Sequence, residues 1–258
     1  YKMRKIKNFL KIFHNILKSI GLDFLKFKKI IYIFKYFSDL IFFIKSGGKI
    51  TGVFPVFGDH KESNSDFDKH YFYHETIVSN YIFENNPKKH IDIGSRLNGF
   101  VSTVASFRKI EFFDLRPSDV EHKNIIFKQI DLLNISEKYY EYTDSLSCLY
   151  VLGHVGLGRY GDKINKDGSK LAFLNLVKIL KNKGKLYIAI PISEKNKVYF
   201  NAHRTFIPSE ILGWSNELKL EKFDYVDDNG KFYKDSSVFN LDLTKIKYGC
   251  GIYMFIKN

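Results

Sequence analysis

Three aspartates are spaced as if each closed a β-strand at the same edge of one sheet: Asp92, Asp114 and Asp131. Asp92 belongs to the run Asp92-Ile-Gly94-Ser95-Arg96, which reads as a strand end, a glycine turn and a helix start near Leu97. Such a turn leaves backbone N–H groups free at the start of a helix, beside a pocket. Asp114 follows 22 residues later, where an acid at the end of a second strand can accept hydrogen bonds from ribose hydroxyls. Asp131, with Leu132 next to it, suits the amine edge of an adenine. A single aspartate at a strand end is often only a turn former. Three in this order point to an adenosine-containing ligand.

A dinucleotide fingerprint requires G-x-G-x-x-G and a pyrophosphate at a helix start. Here only Gly94 and a displaced Gly99 are present. A cofactor without phosphate fits better, and S-adenosylmethionine is the foremost of these. Its candidate contacts are Asp92, Gly94, Ser95, Arg96, Asp114, Leu115, Arg116, Asp131, Leu132 and Leu152.

The loop 153–168 carries His154, Arg159, Tyr160, Asp162 and Asp167, and a second loop carries Asn201, His203 and Arg204. If the strands they follow are neighbours, both loops open on one face beside such a cofactor. Transfer of its methyl to a hydroxyl would need that oxygen deprotonated as it attacks, a proton that a histidine near neutrality could take. His154, His203 and Tyr160 are the candidate catalytic side chains. Arg159 and Arg204 offer bidentate contacts to a phosphate or carboxylate, unless they pair with Asp162 or Asp167 instead. Asp162, Asn201, Tyr71 and Tyr73 complete the candidate acceptor contacts, the two tyrosines in a segment placed to cover the ligand. No spacing of histidines, cysteines and acids singles out a metal site.

These residues need a framework, and the pattern supplies one. Short apolar runs at 90–93, 109–114, 125–130, 145–152, 185–190, 220–227 and 251–257 read as strands. Helical stretches at about 98–107 and 169–180, the latter capped by Asn182-Lys-Gly184, and one from Pro208 to about Trp214 separate several of them. This alternation predicts an α/β fold with a seven-stranded, mostly parallel sheet whose last two strands pair antiparallel at one edge. Residues 231–248 read as irregular.

The net charge of +13 is uneven: residues 1–50 hold 12 Lys and Arg against Asp23 and Asp39, so the other residues carry only +3. The basic character therefore belongs to an N-terminal arm, which weakens a nucleic-acid reading based on total charge. Apolar residues at helical spacing from Ile6 to Ile20, and again from about Phe24 to Ile44, predict N-terminal helices. The second is too short and too interrupted for a membrane span, and no small-residue cleavage site marks a signal peptide. Either these helices pack on the body or a second subunit, or they form a basic amphipathic contact with an anionic membrane surface. The organisation expected is an arm over 1–50, a linker or lid over 51–87 and a ligand-binding domain over 88–258. Cys148 and Cys250 sit in apolar runs and read as buried free thiols, which suits a reducing, cytoplasmic setting.

The order of elements resembles class I S-adenosylmethionine-dependent methyltransferases with a Rossmann-like sheet, and more narrowly the DUF268 group. The runs that carry the resemblance are His90 to Phe100, Asp114-Leu-Arg-Pro117, Ser145 to Leu149, His154 to Asp162 and Phe200-Asn-Ala-His-Arg204. It covers roughly residues 70–258. It implies O-methylation of a small-molecule or sugar/glycan acceptor, in a setting of bacterial surface polysaccharide biosynthesis. The chain departs from the class I turn D-x-G-x-G-x-G, because Arg96 and Asn98 stand at its second and third glycines. It also has Gly153 where many relatives carry Glu before the histidine that follows strand four. A nucleic-acid methyltransferase, which would be favoured by the charge but lacks a D-P-P-Y-like motif, and a non-catalytic scaffold are the competing readings.

Overall fold

The computed structural model describes residues 17, 31–53, 55, 56, 63, 65 and 67–258. The chain divides into two compact units, Tyr1–Phe67 and Asp68–Asn258. The first amphipathic helix expected near Ile6–Ile20 lies, but for Leu17, outside the described residues.

In the smaller unit, helix α1 spans Ile33–Lys45 and carries an exposed Lys35–Asp39 ion pair of 2.7 Å. None of its residues is buried, and Phe34, Phe42 and Ile44 are among its exposed apolar side chains. Among the described residues, no helix is long and apolar enough to cross a membrane.

The larger unit opens with helix α2, Lys69–Asn85. The Asp68 carboxylate accepts from the backbone N–H groups of His70 and Tyr71, and Asn86 ends the helix in a left-handed conformation. Val78, Tyr81 and Ile82 pack this helix into one of the two cores of the unit. The segment 69–85 thus forms a helix of the larger unit, which begins at Asp68.

The sheet then builds from β1 (His90–Ile93), β2 (Ile110–Asp114), β3 (Ile125–Gln129), β4 (Thr143–Leu149) and β5 (Leu180–Ile192). A hairpin of β6 (Lys197–Tyr199) and β7 (His203–Thr205) stands apart as a two-stranded sheet. Strands β8 (Leu218–Val226), β9 (Phe232–Tyr233) and β10 (Gly249–Lys257) complete the main sheet, in the order β3-β2-β1-β4-β5-β10-β8-β9. The five strands from β3 to β5 pair parallel, whereas β10 is antiparallel to both β5 and β8. The expected antiparallel pair is therefore present, but β10 is inserted between β5 and β8, and β9 adds an eighth strand at the edge.

Strand periodicity sends alternate residues to two cores. Ile91, Ile93, Leu186, Ile188, Tyr253 and Phe255 face helix α4 (Gly168–Ile179), represented by Phe173 and Leu176. Tyr187, Ala189, Ile252 and Met254 face α2, together with Phe100 and Val104 from the turn after β1. Both faces are covered, and β5 and β10 accordingly read as near-continuous apolar runs, whereas β1 and β4 also bury His90, Asp92, Ser145 and Ser147.

The helix following β1 begins as a single π-turn, Leu97–Val101, and passes into helix α3, Ser102–Ala105. The end of α4 differs from expectation. It stops at Ile179 and β5 starts at once, so Asn182-Lys-Gly184 form part of an irregular strand entry instead of a helix cap. Glu141 and Tyr142 donate their N–H groups to Lys178 and Ile179, which satisfies the last helix carbonyls without a glycine.

Candidate functional site

A cavity of about 460 Å³ opens at the carboxyl ends of β1, β2, β3 and β4. This is where doubly wound sheets bind ligands, and the volume lies in the range of small-molecule sites.

The turn after β1 forms its floor. Gly94 has φ +70°, and its N–H donates to Phe113 O at 2.7 Å. A Cβ at this position would lie 3.0 Å from Val151 Cγ2, so glycine is required both by conformation and by space. Asp92 does not line the cavity. Fully buried, it accepts from Ser95 N–H (3.0 Å), Ser95 Oγ (2.6 Å) and Ser147 Oγ (2.6 Å). Ser95 Oγ in turn accepts from Leu149 N–H. Asp92 therefore ties the turn to β4 from beneath, and burial pushes its carboxyl up to about 7. Arg96 is exposed at the start of the π-turn, 4.6 Å over the Tyr71 ring and 3.7 Å from Glu75.

Asp114 and Asp131 both line the cavity, with Leu115, Arg116 and Leu132. Asp114 is held by its neighbour: Arg116 donates to it through its backbone N–H (2.8 Å), Nε (3.1 Å) and Nη2 (2.9 Å). Asp131 accepts from Leu133 N–H and starts a short 3₁₀ turn. Phe112, Ile130 and Leu132 add apolar walls between the two acids.

The loop after β4 closes the other side. Tyr150 leaves the strand with φ +63°, which aims it at the cavity beside Tyr71, 5.1 Å away between ring centres. His154 and Tyr160 also line the cavity. His154 Nδ1 is 2.5 Å from Ala202 O, a carbonyl that can only accept, so the proton sits on Nδ1 and Nε2 is left as the basic nitrogen. Burial, followed by the Arg159 guanidinium, lowers its pKa to about 4 against the raising effect of the Ala202 bond. It is therefore neutral at physiological pH. Asp162 pins the loop by accepting from the N–H groups of Gly156, Gly158 and Tyr160.

Several sequence candidates stand elsewhere. Leu152 is fully buried in the core. Tyr73 stacks on Phe232 at 5.0 Å, away from the cavity. Arg204 is buried and donates to the carbonyls of Val155, Asn165 and Lys166 and to Ser169 Oγ, so it holds the loop together and has no hand free for an acceptor. The alternative pairing with Asp162 or Asp167 is not made either, because the loop folds its carbonyls around the guanidinium. Asn201 sits exposed at the hairpin turn with φ +60°, and His203 lies between Tyr199 and Tyr248, tilted against both rings. Arg159 is exposed beside His154, donating to Ala202 O at 3.1 Å.

Sequence reasoning passed over Tyr150, which ends an apolar run and looks like one more strand residue. It also passed over His70, whose Nδ1 lies 3.0 Å from the Tyr150 hydroxyl. His74 is buried between Tyr71 and Tyr150, and neither of its ring nitrogens has a hydrogen-bond partner among the described residues. Burial lowers its pKa to about 3. Among the described residues, no group of three or more His, Cys, Asp or Glu could hold a metal ion.

The architecture is similar to that of class I methyltransferases of known structure. The N-methyltransferase NodS from Bradyrhizobium japonicum WM9, solved with S-adenosylhomocysteine, aligns with TM-score 0.52 and 14% identity over 75% of this chain and 89% of its own. The 1,6-didemethyltoxoflavin-N1-methyltransferase from Burkholderia thailandensis aligns with TM-score 0.52 and 12% identity over 78% and 83%. The [4+2]-cyclase SpnF aligns with TM-score 0.51 and 10% identity over 70% and 80%. At these identities the likeness is one of fold, and SpnF illustrates that such a fold is not tied to one reaction. No curated protein matches the chain in sequence. One family model does match, described as "Caenorhabditis protein of unknown function, DUF268"; it covers residues 101–229, half of the chain, including β2 to β8 and the loops that close the cavity, and the chain belongs to that family.

Proposed function

We propose that the protein is an S-adenosylmethionine-dependent methyltransferase acting on a hydroxyl of a small-molecule or sugar acceptor, in surface polysaccharide biosynthesis. The observation that carries this reading is the cavity itself, in which the Gly94 turn and the acids Asp114 and Asp131 converge with His154. The residues fit the cofactor. The Gly94 cradle would be filled by any side chain, and Asp114 offers a carboxylate to ribose hydroxyls. The apolar side chains Phe112, Ile130 and Leu132 beside Asp131 suit a flat base with an amine edge.

When bound, the cofactor supplies a methyl group on a positively charged sulfur. The chain does the rest. His154 takes the acceptor proton at Nε2, while Ala202 O holds the ring in that tautomer. Tyr71, Tyr150 and Tyr160 line the space in front of it.

The Arg116–Asp114 pairing favours a second reading, in which the carboxylate is already satisfied and the fold serves as a scaffold. Calorimetric titration with S-adenosylhomocysteine separates the two. The expected dissociation constant is micromolar, and absence of binding up to about 1 mM would overturn the methyltransferase reading. Release of S-adenosylhomocysteine from S-adenosylmethionine, assayed with a panel of hydroxylated acceptors, then tests transfer.

A further inference from the structure

A continuous series of rings leads outward from the cavity. Tyr71 and Tyr150 line it. His70, bonded to the Tyr150 hydroxyl, stacks on Tyr248 at 5.9 Å. Tyr248 meets His203 at 4.8 Å, and His203 meets Tyr199 at 5.0 Å. Tyr199 lies on the β6–β7 hairpin, where it is 49% exposed, and the adjacent Phe200 is 73% exposed. A hairpin tip rich in exposed aromatic surface costs solubility unless it meets something. Aromatic faces are electron-rich, and the C–H face of a sugar ring is a matching apolar, weakly positive surface.

Beside this wall stands an uncompensated cation. Arg159 is exposed, 5.2 Å from the Tyr160 ring, and no carboxylate among the described residues is within ion-pair distance of it. Its Nη1 lies 3.5 Å from His154 Nδ1 and donates to Ala202 O, next to His203, so it stands beside the rings, and its charge is felt at Tyr71, His203 and Tyr248. The carboxylates in this region are committed elsewhere. Asp68 caps α2, Asp162 binds three loop N–H groups, and Asp114 is held by Arg116. A guanidinium with no carboxylate partner, held at one end by Ala202 O beside the candidate base, is a binding site for an anion.

We propose that the acceptor is an anionic sugar, its ring laid on the Tyr71–Tyr248–His203–Tyr199 wall and its phosphate or carboxylate held by Arg159. This deepens the reading of the cavity as a methyltransferase site and rests on it.

The test uses the full chain with three probes: glucose 1-phosphate, glucuronate and neutral methyl glucoside. Binding is followed by ligand-observed NMR, with and without S-adenosylhomocysteine. At least one anionic probe should bind about tenfold or more tighter than methyl glucoside, and the two anionic arms tell phosphate from carboxylate. Arg159→Gln should abolish that preference, and Tyr199→Ala should weaken all three probes several-fold. Equal binding of neutral and anionic probes, a preference that survives Arg159→Gln, or no binding of any probe would overturn the proposal. Inorganic phosphate binding as tightly as glucose 1-phosphate would overturn its sugar part. Failure of S-adenosylhomocysteine to bind would instead count against methyl transfer, and the probe data would still report on the mouth.

Discussion

Asp92 is the side chain whose replacement tests most directly how the turn is held. It is fully buried, and its carboxyl rises from the usual 3.8 to about 7, first because burial disfavours the charge and against the lowering effect of bonds from Ser147 and Ser95. An acid with a raised folded pKa stabilises the fold while protonated. That contribution is complete below the unfolded pKa, near 4, and is lost as the pH rises through about 7. At about 1.4 kcal/mol per pH unit, this span corresponds to at most about 4 kcal/mol, and relaxation of the buried site brings a realistic figure nearer 2. Asp92→Asn keeps an acceptor for Ser95 N–H and removes the titration. The assay is urea unfolding of both proteins from pH 4 to 9. His74 and His90, both buried with lowered pKa, impose their own pH dependence on each protein and cancel in the difference. The stability of Asp92→Asn relative to wild type should therefore rise by about 2–4 kcal/mol between pH 4 and 8. A difference that stays flat, or that falls with pH, would refute the view that Asp92 is an acid buried against its preference to anchor the turn.

Other perturbations follow from the same geometry. Gly94→Ala places a Cβ 3.0 Å from Val151 at φ +70°, and should cost about 1–2 kcal/mol in thermal or urea stability and at least about tenfold in S-adenosylhomocysteine affinity. Arg204→Ala strips the donors from the carbonyls of Val155, Asn165 and Lys166. It should destabilise by about 2–4 kcal/mol and make the loop 153–168 the first site of limited proteolysis. His154→Gln should lower kcat by about 10²–10³-fold with little change in KM. Because the His154 base is neutral above about 4, wild-type kcat/KM should be level from pH 6 to 8 and fall only as the pH approaches that value, which a rate–pH profile would check.

The frame of the protein was legible because its signals are local. Four buried residues, His90–Ile93, a glycine and a helix start define the first strand and turn, and the later apolar runs repeat the theme at lengths that suit a covered parallel sheet. The burial of Asp92 was open to the same logic and was missed: His90 and Asp92 alternate with Ile91 and Ile93, so they share the opposite face of the sheet, where Phe100 covers His90. Tertiary packing decided the rest. Whether Arg204 meets a ligand or a set of carbonyls depends on how the loop 153–168 folds, which has no local code. Tyr150 became a cavity residue through a left-handed backbone, an uncommon conformation for a tyrosine that no residue pattern announces. The insertion of β10 between β5 and β8 likewise reflects pairing across long sequence separations, not any property of residues 249–257 alone.

Gly153 shows how a departure from the family pattern can be a condition of the site and not a defect in it. A Cβ there would lie 3.3 Å from both Arg204 O and Pro191 Cδ, and Gly153 O accepts from Arg204 N–H at 2.8 Å. The missing side chain lets the β6–β7 hairpin lie directly against the loop after β4. That docking delivers Ala202 O to His154 Nδ1 and to Arg159 Nη1, fixing both the tautomer of the candidate base and the position of the candidate anion-binding cation. Gly153→Glu would restore the carboxylate found in many class I relatives, and residue type alone would predict a gain in activity. The packing predicts the opposite. The longer side chain should lift the hairpin, free His154 to flip and lower kcat/KM by about 10-fold or more, with faster cleavage by protease within 197–205. Activity equal to or above wild type, with the hairpin still protected, would show that the carboxylate is simply absent and that the close docking at Gly153 carries no function.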